Sequence, residues 1–177
     1  MAETASTLRE VWEAHKGAFL ALVPPPGELT LDVSCGEGDV APDLTALGHR
    51  VVTVAADAGP LPVADATADL VVGFLHLPGM DDTGRAVREF ARVLRPGGRL
   101  CLAVEHPIAS AGTFSRSEPD AEFAIAGSYF EARPLEDYFL ALEGAGFLIE
   151  DLREPRPGDG GPWDRVPLFV DLRAVRS

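Results

Sequence analysis

Long apolar runs are missing from this 177-residue chain. None approaches the roughly 20 residues that a membrane-crossing helix needs, so no membrane span is expected. Basic residues are scarce: 15 lysines and arginines face 28 acidic residues, for a net charge of −13. Proteins that bind nucleic acids need basic surface to replace the counterions along phosphates. Neither a nucleic acid nor an anionic membrane is expected as a partner, and the acidic balance reads as a device for solubility. Cysteine is rare too, with only Cys35 and Cys101, far apart and in apolar contexts. They read as reduced thiols of a cytoplasmic protein and not as a disulfide framework. The opening residues MAETASTLREVWEAHKG carry neither a basic n-region nor an apolar core, so no signal peptide is expected there.

What is present fits a single globular domain over 1–177, at 46% hydrophobic and 24% charged residues. Residues 1–27 read as an N-terminal helix and a proline-rich lead-in, and 28–177 as the core. Apolar spacing predicts a helix over 4–22, stopped by VPPPG at 23–27. Strands are expected at 28–33, 50–54 and 69–75, with a helix over 39–47 stopped by Gly48. In GRAVREFARVLRPGG, Ala86, Val87, Phe90, Val93 and Leu94 share one helical face, ended by Pro96-Gly97-Gly98. A strand, RLCLAVEHP, follows, and 107–130 read as an irregular loop over the site. Then come a helix over 135–146, a strand over 147–154, a long turn and a last strand over 168–175. Alternating strands and helices imply a parallel sheet covered on both faces. The last two strands have no helix between them and are expected to pair antiparallel.

In such a sheet, ligands bind beyond the carboxyl ends of the strands, where strand order reverses. The stretch LDVSCGEG (31–38) stands at that place, between the first strand and a helix. Gly36 and Gly38 let a ligand approach the backbone, and the helix N-terminus offers free N–H groups. Asp32 narrows the choice, because a carboxylate suits an ammonium group better than a pyrophosphate. Asp32 as a ligand-free carboxylate near a helix remains the alternative.

With these motifs in order, the chain resembles the class I S-adenosylmethionine-dependent methyltransferases, type 11 small-molecule group. LDVSCGEG matches that family's first motif, with Ser34 where the first glycine stands. ADAGPLPVADATADLVV (56–72), ARVLRPGGRL (91–100), AVEHP (103–107), AGFLIEDLREPRP (145–157) and PLFVDLRAV match further segments. The resemblance implies a Rossmann-like α/β fold, mostly parallel with an antiparallel last strand. It implies S-adenosylmethionine as cofactor, with Asp32 near the methionine amino group and Gly36 and Gly38 along it. Ser34 is expected beside the methionine end, and Asp57 near the adenine.

One unit of the family fold is missing. The acid that holds the ribose hydroxyls would fall at Ala55, and RVVTVA runs straight into ADAGPLP. A crossover helix and the edge strand beyond it are absent, which leaves six strands. Asp57 then either takes over the ribose contact or caps the turn at Gly59-Pro60. Strand 50–54 becomes an edge with an uncovered patch near Val51, Val52 and Val54, expected to be covered by a second copy in a homodimer or by the N-terminal helix.

The reading is a methyltransferase for a small-molecule substrate. The alternative is a degenerate member that lost the cofactor and serves a binding, scaffolding or cofactor-independent role. A nicotinamide oxidoreductase fits poorly with Asp32 and with the incomplete glycine motif. His106, at the end of a central strand, is the first candidate base, ahead of His76 and Glu105, and each has a capping or hydrogen-bonding role as its alternative. His15 and His49 read as surface residues. No metal-site spacing is present.

Overall fold

The computed structural model describes residues 2–34, 40–55, 60–75, 83–131 and 133–177, with side chains from Arg9 onward. Six strands form one sheet in the order β2-β1-β3-β4-β8-β7. They are β1 (Thr30–Asp32), β2 (Val51–Thr53), β3 (Ala68–Phe74), β4 (Leu94–Glu105), β7 (Phe147–Arg153) and β8 (Phe169–Arg176). The first four run parallel, with Leu31 opposite both Val52 and Val71. β8 inserts antiparallel between β4 and β7, with Leu102 and Leu152 both opposite Leu172. The expected α/β sheet with an antiparallel last strand is therefore observed, and β2 is its edge.

Period-two alternation divides the central strands between two cores. Leu70, Val72 and Phe74 of β3, with Cys101 and Ala103 of β4, face α1 (Ala2–Leu20) and α2 (Ala41–Ala46) through Trp12, Phe19 and Leu44. Val71, Leu100, Leu102 and Val104 face α3 (Thr83–Val93) and α5 (Leu135–Gly144) through Val87, Phe90 and Leu142. Burial on both faces explains why these strands read as continuous apolar runs. The expected buried face of α3 is observed. That helix ends at Val93, because Leu94 pairs with Ala68 of β3 and Pro96 disfavours a helical residue before it. Gly98 is required here: a Cβ would meet the Arg95 carbonyl at 2.8 Å.

Several expectations need correction. Residues 107–130 are not wholly irregular: they contain α4 (Pro107–Ala111) and an antiparallel ribbon of β5 (Gly112–Phe114) and β6 (Phe123–Ile125). The ribbon is held from a distance. Phe114 packs on Phe123 and on Trp163, both at 4.9 Å, and the Arg165 guanidinium lies 5.2 Å over Phe114. The patch expected around β2 is narrower than Val51, Val52 and Val54. Val52 is 44% exposed, but Val54 is buried against the α3 face and Val51 is half-buried. His15 and His49 are buried, not on the surface. Each has a distant partner that local sequence does not reveal, Asp171 for His15 and Thr30 for His49.

The shortened link between β2 and β3 is pinned by one side chain. Arg92 of α3 donates from Nη1 to the Val63 carbonyl (2.9 Å) and from Nη2 to the Leu61 carbonyl (3.0 Å). It also pairs with Asp65 at 2.6 Å and Glu89 at 2.9 Å, and Glu89 in turn accepts the Leu61 N–H at 3.0 Å. These bonds seat Leu61 in the core beneath the link.

Candidate active site

β1 leads to β2 on one side and β3 leads to β4 on the other, so strand order reverses between β1 and β3. Their carboxyl ends open the crevice where α/β sheets bind ligands. Asp32 closes β1 there and is fully buried, because its strand lies between β2 and β3. Its Oδ1 accepts the Ser34 N–H at 3.0 Å. Its Oδ2 is buried with no hydrogen-bond partner among the described residues. A buried carboxylate oxygen without a donor is costly, and a ligand ammonium group would satisfy it. That orphaned oxygen is the feature that fits the cofactor implied by the sequence.

Ser34 turns its side chain toward β3, where its Oγ accepts the Phe74 N–H at 3.0 Å. The residue standing in place of a glycine thus ties the ends of β1 and β3 together at the reversal point. Ala55 follows β2, exposed at the end of that strand. Gly36, Gly38, Asp57 and His76 lie outside the described residues, as does Cys35. Cys101 is a free, buried thiol whose desolvation pushes its pKa up to about 12, so it is inert at neutral pH.

His106 follows β4 and caps α4. Its Nδ1 accepts the Ile108 N–H at 3.1 Å, so the proton sits on Nε2, which donates to Glu154 Oε1 at 3.1 Å. Burial lowers the His106 pKa, and Glu154 partly offsets this. Both ring nitrogens are therefore engaged, the geometry of the capping alternative. Glu105 is exposed at the end of β4.

Two groups that the sequence did not single out reach the same edge. His15 of α1 bonds through Nε2 to Asp171 of β8 at 2.7 Å, both nearly fully buried. Its ring packs on Phe169 (4.5 Å) and Phe74 (5.9 Å). The signal for this pair lay only in an acidic residue inside an apolar strand, Asp171 in LFVDLRAV.

A family model described as a methyltransferase domain matches residues 51–102. A Mycolicibacterium smegmatis protein described as a probable S-adenosylmethionine-dependent methyltransferase is 30% identical, over 85% of this chain and 72% of its own length. The 27-O-demethylrifamycin SV methyltransferase of Amycolatopsis mediterranei is 31% identical, but the match covers 56% of this chain and 47% of that protein. Among solved structures, an S-adenosylmethionine-dependent methyltransferase from Mesorhizobium loti superposes with a TM-score of 0.76 at 22% identity, covering 92% of this chain and 98% of its own. The Burkholderia thailandensis 1,6-didemethyltoxoflavin-N1-methyltransferase, solved with S-adenosylhomocysteine, gives a TM-score of 0.62 at 19% identity over 99% and 85% of the two chains. At such identities the structures speak for the fold, and the M. smegmatis relative carries the family. The motif order, the buried Asp32 at the reversal point and these matches agree: the chain belongs to the S-adenosylmethionine-dependent methyltransferases.

Proposed function

We propose that this chain binds S-adenosylmethionine across the carboxyl ends of β1, β2 and β3 and methylates a small-molecule acceptor. The single observation that carries the reading is Asp32 Oδ2, buried at the reversal point with no donor among the described residues. Bound there, the cofactor supplies a methyl group already activated on a sulfonium, so the residues have mainly to bind and orient. Asp32 receives the ammonium group. Ser34 holds the ends of β1 and β3 in register beneath the methionine end. Gly36 and Gly38 leave room for the backbone to approach the ligand. Asp57 accepts from the ribose in place of the acid missing at Ala55. Its cost, relative to a full set of acids, is one charge-assisted hydrogen bond of about 1.5–3 kcal/mol, or roughly ten- to a hundredfold in affinity. His106 and Glu154 keep the β4–α4 corner in place.

The small-molecule acceptor is supported by relatives named for such acceptors, a demethylated rifamycin and a demethylated toxoflavin. The charge of −13 disfavours nucleic acid and anionic membrane as partners. The reading places the protein in the cytoplasm, as a homodimer joined along the β2 edge, where Val52 stands 44% exposed.

Calorimetric titration with S-adenosylhomocysteine tests the reading. The wild type is expected to bind, and Asp32→Asn to weaken binding about tenfold or more while staying folded. No heat and no thermal shift at millimolar ligand would overturn it in favour of a fold that has lost its cofactor.

A further inference from the structure

An apolar groove of about 220 Å³ opens between α1 and the segment leading into β8, where Phe169 lies opposite Glu105 at the carboxyl end of β4. Its walls include Val11, Ala18, Trp163, Leu168 and Phe169, and His15 stands among them. The volume suits one small ring or one end of a larger ligand. Phe74 connects the groove to the cofactor turn: its ring packs 5.9 Å from His15, and its N–H bonds Ser34 beside Asp32.

The two buried histidines near this edge differ in what they have left to offer. His106 has both nitrogens engaged. His15 uses Nε2 for Asp171, and its Nδ1 has no partner among the described residues. Asp171 Oδ1 faces His15, while Oδ2 is buried with no partner among the described residues. A carboxylate bonded to one imidazole nitrogen fixes the tautomer and stabilises the ring when the other nitrogen takes a proton. Burial raises the Asp171 pKa and His15 lowers it, so this carboxylate gains from a positive charge on the His15 ring. The other charged groups facing the pair are Arg153, which acts on Asp171, and Arg156 and Asp159 on the groove wall.

We propose that the groove takes an apolar, ring-shaped acceptor bearing an ionisable hydroxyl, and that His15, backed by Asp171, is the catalytic base for that hydroxyl. This rests on the methyltransferase reading above. As the acceptor oxygen bonds to the methyl carbon, the carbon–sulfur bond breaks and its electron pair stays on sulfur. The hydroxyl proton passes to His15 Nδ1, and the imidazolium is balanced by Asp171.

The test uses p-cresol, with toluene as the same ring lacking the hydroxyl, and the full chain carrying nitrogen-labelled histidine. In the wild type, p-cresol is expected to move the Nδ1 resonance of His15 and to bind at least about fivefold tighter than toluene, the worth of one buried hydrogen bond. His15→Gln, which keeps a donor for Asp171, is expected to abolish that preference and to leave S-adenosylhomocysteine affinity within about twofold. Asp171→Asn is the second variant, should the first not fold, and is expected to shrink the preference for p-cresol over toluene while S-adenosylhomocysteine affinity stays within about twofold. Equal binding of p-cresol and toluene, a response at His106 instead, or an undiminished p-cresol preference in Asp171→Asn would overturn the proposal while S-adenosylhomocysteine still binds. Absence of S-adenosylhomocysteine binding would instead overturn the methyltransferase reading, and the base role with it.

Discussion

Replacing Arg92 with methionine tests how a shortened methyltransferase sheet holds together where a helix and a strand are missing. The guanidinium spans the link between β2 and β3, donating to the Leu61 and Val63 carbonyls and pairing with Asp65 and Glu89. Methionine keeps much of the stem's packing and removes every one of these bonds. The two carbonyl bonds are charge-assisted, each worth about 1.5–3 kcal/mol. Solvent reduces this, because the Arg92 side chain is 28% exposed, and the Asp65 pair counts for little with Asp65 77% exposed. Glu89 also loses the guanidinium bonded to it and keeps the Leu61 N–H and the nearby charge of Arg85. The net loss is about 2–3 kcal/mol, or about 4–12 °C in Tm for a chain of this size. Thermal unfolding and urea titration measure it, and hydrogen exchange locates it at the Leu61 and Val63 amides, bonded to Glu89 and to the Leu61 carbonyl. Under the role proposed for Asp57, which belongs to the same link, S-adenosylhomocysteine affinity is expected to fall in proportion to the fraction of molecules whose link stays docked. Arg92→Lys is expected to recover part of the stability and not the two-carbonyl grip. An unchanged Tm with unchanged exchange at Leu61 would refute the clamp.

Two further outcomes are expected. If the β2 edge joins two copies, light scattering gives a dimer, and Val52→Lys, at a site 44% exposed, gives a folded monomer. A wild type that stays monomeric at high concentration rejects this, and the same substitution then changes stability alone. Burial lowers the pKa of both His49 and His106. A lowered folded-state pKa gives stability that is full above the ordinary histidine value near 6.5 and is lost as pH falls through the folded-state value. Urea midpoints are therefore expected to drop from pH 7 toward pH 5, before the carboxylates held down by arginines, Glu89 and Glu150, begin to protonate. A midpoint constant across that range would contradict the burial of these two rings.

The sheet was legible in the sequence because its determinants are local and periodic. Continuous apolar runs marked β3 and β4 as covered on both faces, the glycine and proline stops marked the helix ends, and the missing crossover followed from RVVTVA running straight into ADAGPLP. The place of Asp32 at the end of β1 was legible too, because it follows from the motif, although only the three-dimensional structure shows one of its oxygens without a donor among the described residues. What the sequence left undetermined is long-range pairing. Arg92 meets Leu61 across 31 residues, His106 meets Glu154 across 48, and His15 meets Asp171 across 156. No local pattern encodes such partners, since a charged or imidazole side chain in a helix reads as surface until packing brings a second group within hydrogen-bond distance. By itself the sequence determined the fold class and the family. Tertiary structure alone decided which histidine is spent on capping, which one is paired with a buried carboxylate, and what pins the shortened link, because burial and hydrogen bonding between distant segments are properties of the packed chain.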